Sequence, residues 1–313
     1  MNEDSSLLHV QDTAVHLYHW TPDTEPVAVL QIVHGMGEHA ARYARFARAL
    51  TERGWAVVAY DQRGHGQTAH SVRDLGYFAD EDGWAKVVGD VRAVSEEARR
   101  RHPDAPLAIL GHSMGSYALQ SLLFEHDDYA AAVISGSTLN TGLLVKVGRQ
   151  LAKLERWRLG RRKVSWLLQR LSFGAFSRAI PDRRTEFDWL SRDPAEVDKY
   201  VEDPLCGFPS TTGLWVDLLE AFRELEKPEN VAKIRKDLPI RIMSGGEDPV
   251  HEGQVGFRRL VDLYTARGFD ELDVELVEGA RHELLNETNR DQVTADLIAW
   301  LEAQVQTPAA QTA

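Results

Sequence analysis

Apolar and polar positions along the chain alternate between two rhythms. Short runs dominated by apolar residues stand at 28–34 (AVLQIVH), 55–61 (WAVVAYD), 106–112 (PLAILGH) and 131–137 (AAVISGS). Between them, 41–54, 83–102 and 116–126 carry apolar residues at helical spacing. Runs of the first kind read as strands buried on both faces, and the segments between them as the helices that cover those faces. The alternation predicts an α/β fold with a mostly parallel central sheet and helices on both sides. Residues 7–20 (LLHVQDTAVHLYHW) break the pattern and predict an antiparallel hairpin at the sheet edge.

From 138 to 235 the rhythm stops, and only helical and irregular patterns appear. It resumes with a strand at 239–245, a helix over 252–267, a strand at 272–279 and a last helix over 287–305. A separate domain would not let the alternation return, so the gap predicts a helical insertion. The expected organisation is a core over 1–137, an inserted helical cap over 138–235, the rest of the core over 236–305, and a flexible tail over 306–313.

The run at 109–117, ILGHSMGSY, places Ser113 between Gly111 and Gly115 at the end of a central strand. Ligands of open α/β sheets bind at that edge. A nucleophile on a strained strand-to-helix turn needs neighbours without side chains, which gives both glycines a reason. A serine hydroxyl also needs a base and a carboxylate that orients it. Asp248 follows the strand at 239–245, and His282 follows the next one, so both fall at the same edge as Ser113. Glu247 is a rival for the acid and His251 for the base. In IVHGMGEH (32–39), the N–H of Met36 is placed to donate to an oxyanion, with the N–H of Met114 as second donor. Asp61, Arg63 and His65, after another strand, are expected to form a buried hydrogen-bond network under the site.

The net charge of −12 argues against a nucleic-acid partner, because such binding rests on neutralising phosphates. Cys206 is the only cysteine, which excludes an internal disulfide and fits a reducing compartment. The MNEDSS start has neither a basic nor an apolar region of a secretory signal, and no apolar run approaches the roughly 20 residues of a membrane span. These features predict a soluble, cytoplasmic protein without stable membrane insertion.

The motifs HGMGEHAARY (34–43), DQRGHGQT (61–68), GHSMGS (111–116), DPLCG (203–207), SGGEDPV (244–250) and GARHELLNE (279–287) together resemble the α/β-hydrolase superfamily, within it the monoacylglycerol lipase/lysophospholipase group. The group's sequences are also gathered under a serine aminopeptidase heading. The resemblance implies an α/β-hydrolase fold with a helical cap, no metal and no organic cofactor. It places the nucleophile on Ser113, the acid on Asp248, the base on His282 and the oxyanion donors on Met36 and Met114. Thr68 is a mild departure, since relatives often carry serine there.

The first functional reading is a carboxylic-ester hydrolase acting on monoacylglycerols or lysophospholipids. Aminopeptidase and thioesterase activity on the same triad are alternatives, and a non-catalytic ligand-binding protein of this fold is the reading from another class. Ser113 argues against dehalogenase or epoxide hydrolase chemistry, which would use a carboxylate nucleophile. Within the expected cap, residues 143, 144, 147, 151, 154 and 157 form an apolar arc of roughly 140°. Lys146, Arg149, Lys153 and Arg156 fall in a separate arc. Two readings stand. Either the apolar arc packs on the cap core and the basic arc is solvated, or the lid makes transient contact with anionic lipid surfaces.

Overall fold

The computed structural model describes residues 1–139 and 141–306. The tail expected over 306–313 lies outside the described residues from 307 onward, and Gln306 closes the last helix.

Eight strands form one sheet: β1 (Asn2–Val10), β2 (Thr13–Thr21), β3 (Ala28–Val33), β4 (Trp55–Tyr60), β5 (Leu107–His112), β6 (Ala131–Ser135), β7 (Ile240–Gly245) and β8 (Asp273–Val277). Their order across the sheet is β1-β2-β4-β3-β5-β6-β7-β8. The β1–β2 hairpin is antiparallel and joins β4 antiparallel, while β4, β3, β5, β6, β7 and β8 run parallel. The strands β3, β4, β5, β6 and β7 are buried at every position, which is why they read as apolar runs without alternation.

Helices α1 (Ala44–Thr51), α2 (Gly83–Arg101) and α3 (Met114–Leu123) connect the first parallel strands. Between β6 and β7 the chain runs through α4 (Leu143–Leu159), α5 (Trp166–Leu171), α6 (Phe173–Arg178), α7 (Pro194–Glu202), α8 (Thr212–Leu225) and α9 (Pro228–Val231). Among the described residues this stretch adds no strand to the sheet; Val164 and Thr211 make an isolated antiparallel bridge. Helices α10 (Val255–Thr265) and α11 (Arg290–Gln306) complete the core. One apolar cluster, with Val91, Leu119 and Ile134, fills one face of the sheet, and a second, with Phe46, Leu50 and Leu297, fills the other. A third, small cluster lies inside the inserted helices around Trp189, Leu190 and Tyr200.

The start of α3 lies hard against β3. A Cβ on Gly115 would stand 2.1 Å from the Val33 carbonyl oxygen, and one on Gly111 would stand 2.5 Å from the Gly115 carbonyl oxygen. Only two bare backbones allow this crossing, so the glycines fix where residue 113 sits. Gly115→Ala should therefore cost about 3 kcal/mol or more of stability, read by urea unfolding. A loss below about 1 kcal/mol would mean that α3 can shift off β3 freely.

Candidate active site

Ser113 follows β5 and precedes α3, with φ 51° and ψ −120°. That left-handed backbone is rare for a residue with a side chain and costs about 1–3 kcal/mol. It is held by the Ser113 N–H donating to the Ser135 carbonyl at 2.9 Å, and by Ser116 N–H and Oγ donating to the Ser113 carbonyl at 2.9 and 2.6 Å.

His282 and Asp248 come together as the sequence predicts. His282 Nδ1 lies 2.7 Å from Asp248 Oδ2, and both side chains are buried. Asp248 also accepts from Ser244 Oγ at 3.1 Å and from Val250 N–H at 2.9 Å. Burial works against its charge, but His282 and these donors outweigh it and hold the carboxyl below the ordinary range. Burial likewise opposes a charged imidazole, yet Asp248, with Glu283 and Glu38, moves His282 net upward. The rivals are placed elsewhere. Glu247 is exposed. His251 has Nε2 at 2.7 Å from the Gly245 carbonyl oxygen and accepts from Gln254 N–H at Nδ1, so its ring is occupied by backbone.

Ser113, Met36, Met114 and His282 line one cavity of about 230 Å³. Its walls are mainly apolar and come from the inserted helices, with Phe173, Phe176, Trp215, Leu218 and Phe222 among them. Met114 opens α3, so its N–H has no acceptor within the helix. The loop that carries Met36 is tied to the insertion. The Gly37 carbonyl accepts from Tyr200 Oη at 2.7 Å and from Gly207 N–H at 2.9 Å.

These observations frame the comparison with known proteins. The family described as serine aminopeptidase, S33, matches residues 24–289. The chain belongs to this S33 family. Similar relatives include the monoacylglycerol lipase of Mycolicibacterium smegmatis, 29% identical over 299 residues that cover 90% of each chain. The monoglyceride lipase of Mus musculus is 26% identical over 293 residues, covering 92% of this chain and 86% of the relative. Among solved structures, a thermostable carboxyl esterase from Bacillus coagulans superposes with a TM-score of 0.89 at 23% identity, covering 97% of this chain and 99% of that one. A soluble variant of monoglyceride lipase from Saccharomyces cerevisiae, at 18% identity, gives 0.77 over 97% and 96% of the two chains. The chain is thus an α/β-hydrolase, similar to proteins named as lipases and esterases.

One part of this S33 site was not legible in the sequence. The Arg42 guanidinium forks onto Glu283 at 2.6 Å through two nitrogens and reaches Glu38 at 2.6 Å. Glu38 Oε1 accepts from Gly35 N–H at 2.6 Å and from Tyr43 Oη at 3.0 Å. One buried cation thereby joins the Met36 loop to the His282 loop. Burial opposes both carboxylates, but Arg42 outweighs it and holds them below their usual range. The His112 ring centroid lies 4.8 Å from that of His282, and burial pulls His112 down to about 4. The i,i+4 spacing of Glu38 and Arg42 was a visible signal; the partner 241 residues away was not.

Two expectations are corrected. Asp61, Arg63 and His65 are all buried, but not as one side-chain network. Arg63 turns to Asp90 on α2 at 2.7 and 2.8 Å, and His65 Nδ1 lies 3.1 Å from the Arg63 carbonyl oxygen. Asp61 instead accepts from Ala40 and Gln67 N–H groups and holds the loop before α1. The apolar arc of α4 is also not the packed face as a whole; of its residues Leu151 packs on the core. α4 packs on α8 through the side that carries buried Ala152 and half-buried Val145. The basic residues follow that face: Lys153 and Arg149 pair with Glu220 at 2.6 and 3.7 Å. Leu143, Val147, Leu154 and Trp157 are left in solvent, Trp157 at 82% exposure. The side chain of Leu144 lies outside the described residues. Thr68, expected as a mild departure, has its hydroxyl engaged: Oγ1 donates to the Asp61 carbonyl and accepts from His16 N–H.

His39, Asp203 and Cys206 place their ligand-type atoms within 4.8 Å of one another, the one such group among the described residues. His39 Nε2 already lies 2.9 Å from Asp203 Oδ2, and burial pushes the Cys206 thiol up, away from the thiolate a metal would take. No fit to a metal follows from this group.

Arg42→Met should destabilise the fold by about 3–5 kcal/mol, because it strands two buried carboxylates. Adding Glu38→Gln and Glu283→Gln should restore most of the loss in a denaturant titration. An equally unstable triple variant would show that the carboxylates are not what Arg42 offsets.

Proposed function

We propose that the chain is a serine hydrolase of carboxylic esters, with monoacylglycerols or lysophospholipids as its substrates. The observation that carries this is the 2.7 Å His282–Asp248 contact beside the cavity that Ser113 lines. Asp248 takes the Nδ1 proton side of His282 and leaves Nε2 as the base. Ser113 Oγ attacks the ester carbonyl carbon while its proton passes to Nε2. The carbonyl oxygen gains the charge and faces the N–H groups of Met36 and Met114. The carbon–oxygen bond to the alcohol then breaks, and the leaving oxygen takes the proton from His282. Water, giving a proton to His282, attacks the acyl-enzyme, and Ser113 leaves with that proton.

The walls favour an ester over a peptide. A site for a free amino terminus needs an unpaired carboxylate at the cavity. Among the described residues the carboxylates there are Glu38 and Glu283, both held by Arg42. Three acids of the insertion are paired elsewhere: Asp193 with Arg290, Glu196 with Arg45, and Asp203 with His39. The printed names of the lipase relatives support a lipid ester as substrate.

In this reading residues 138–235 act as the cap. Transient contact with a lipid surface falls to the exposed apolar row of α4, not to the basic arc, since apolar area is what enters an interface. No helix among the described residues is long and apolar enough to cross a membrane.

Ser113→Ala should keep the fold, lose labelling by a fluorophosphonate probe and lose ester hydrolysis by roughly 10³-fold or more. Turnover near the wild-type rate would remove Ser113 from the chemistry. The base must be neutral, so activity falls as pH drops through the His282 pKa, which is raised above 6.5. The acid limb of kcat/KM should therefore lie above pH 6.5. Glu283→Gln removes one of the negative charges that raise it, and should move the limb to lower pH. A limb unmoved in that variant, with its fold intact, would mean that Glu283 exerts no field on the base.

A further inference from the structure

A second concave site lies beside the cavity. Helices α5 and α6 and the segment 181–187 enclose a groove of about 860 Å³. Four arginines line it: Arg170, Arg178, Arg183 and Arg184. In a chain of net charge −12 this is a local reversal of sign. Arg184 pairs with Asp198 at 2.9 Å. Arg178 and Arg183 donate only to the carbonyls of Arg170 and Ile180, at 3.3 Å. No carboxylate lies within ion-pair distance of Arg170, Arg178 or Arg183 among the described residues. Glu186 is the one acid on the wall.

The groove and the cavity adjoin. Phe173 lines both. Leu171 lines the cavity while 55% exposed, which puts it at the cavity mouth, and its neighbour Arg170 lines the groove. Trp166, 71% exposed, is the groove's apolar wall. An apolar cavity that opens beside unpaired guanidinium groups matches a molecule with an acyl chain at one end and an anion at the other. Guanidinium suits a phosphate, because its forked N–H groups meet two of its oxygens at once.

We propose that the arginine groove receives the phosphate of a single-chain anionic phospholipid whose acyl chain enters the Ser113 cavity. This rests on the ester-hydrolase reading and narrows it: the preferred substrate carries a net negative head group, and neutral monoacylglycerols are turned over without help from the groove. Arg170, Arg178 and Arg183 act on binding and touch none of the reacting atoms.

The test compares 1-myristoyl lysophosphatidylglycerol with 1-monomyristoylglycerol, each in neutral detergent micelles. Arg170→Gln/Arg178→Gln/Arg183→Gln should raise KM for the anionic lipid roughly tenfold or more and leave the neutral ester within about twofold. Added salt should raise the wild-type KM for the anionic lipid alone. Glu186→Gln should act in the opposite direction and lower that KM, which covers the case of a triple variant that folds poorly. Inorganic phosphate should compete with the lysolipid and not with the neutral ester. Equal losses on both substrates, or an anionic KM that ignores all four charges, would overturn the proposal. So would a triple variant that loses binding to phosphatidylglycerol vesicles but keeps its lysolipid kinetics; the arginines would then serve the interface. Wild-type protein that hydrolyses neither lipid nor a short soluble ester would instead sink the ester-hydrolase reading.

Discussion

The placement of Ser113 rests on a backbone constraint: a serine with φ 51° where β5 ends and α3 begins. The conformation costs about 1–3 kcal/mol, and the surrounding sheet must over-determine it. It does so through the crossing of α3 over β3, where Gly111 and Gly115 leave no room for a side chain. It also does so through the Ser135 carbonyl, which accepts the Ser113 N–H from the neighbouring strand. The serine is therefore aimed by β3, β5 and β6 together. The parallel order of those strands brings the loops after β3, β7 and β8 to the same edge. Met36, Asp248 and His282 arrive there for that reason.

A second layer of control is electrostatic. The Glu38–Arg42–Glu283 group, with both carboxylates buried, carries one net negative charge. It holds the Met36 loop and the His282 loop at fixed separation, and its field is part of what raises His282. His112, kept neutral by burial, packs its ring 4.8 Å from the imidazole of His282. Electrostatics and position thus come from the same three side chains. A buried ion group is weak support for stability in general. Here its geometric role, two loops on one guanidinium, is the better account of it.

The parallel core was legible because strands buried on both faces show as unbroken apolar runs. β1 was legible only in part. It begins at Asn2, within the polar NEDSS stretch, because an edge strand with solvent on its outer side leaves no apolar trace. Ser113, Asp248 and His282 could be read from their positions after strands. Arg42 could not be joined to Glu283, because a contact across 241 residues has no local signature. The orientation of α4 failed for a different reason. Periodicity finds an apolar arc but does not say that it faces inward. The contact with α8, with Glu220 opposite the basic residues, decided the packing instead.

The contacts on Gly37 bear on how such proteins can be rebuilt. Its carbonyl is held by Tyr200 and Gly207, both from the inserted helices. The insertion is therefore not a detachable part that merely selects what reaches Ser113. A chimera that exchanges this segment for that of a relative, to change substrate range, would also exchange two of the supports of the loop carrying Met36. The smallest portable unit runs on through residues 200–207, and a graft lacking a hydroxyl and an N–H over Gly37 would leave a slack loop in an otherwise intact enzyme.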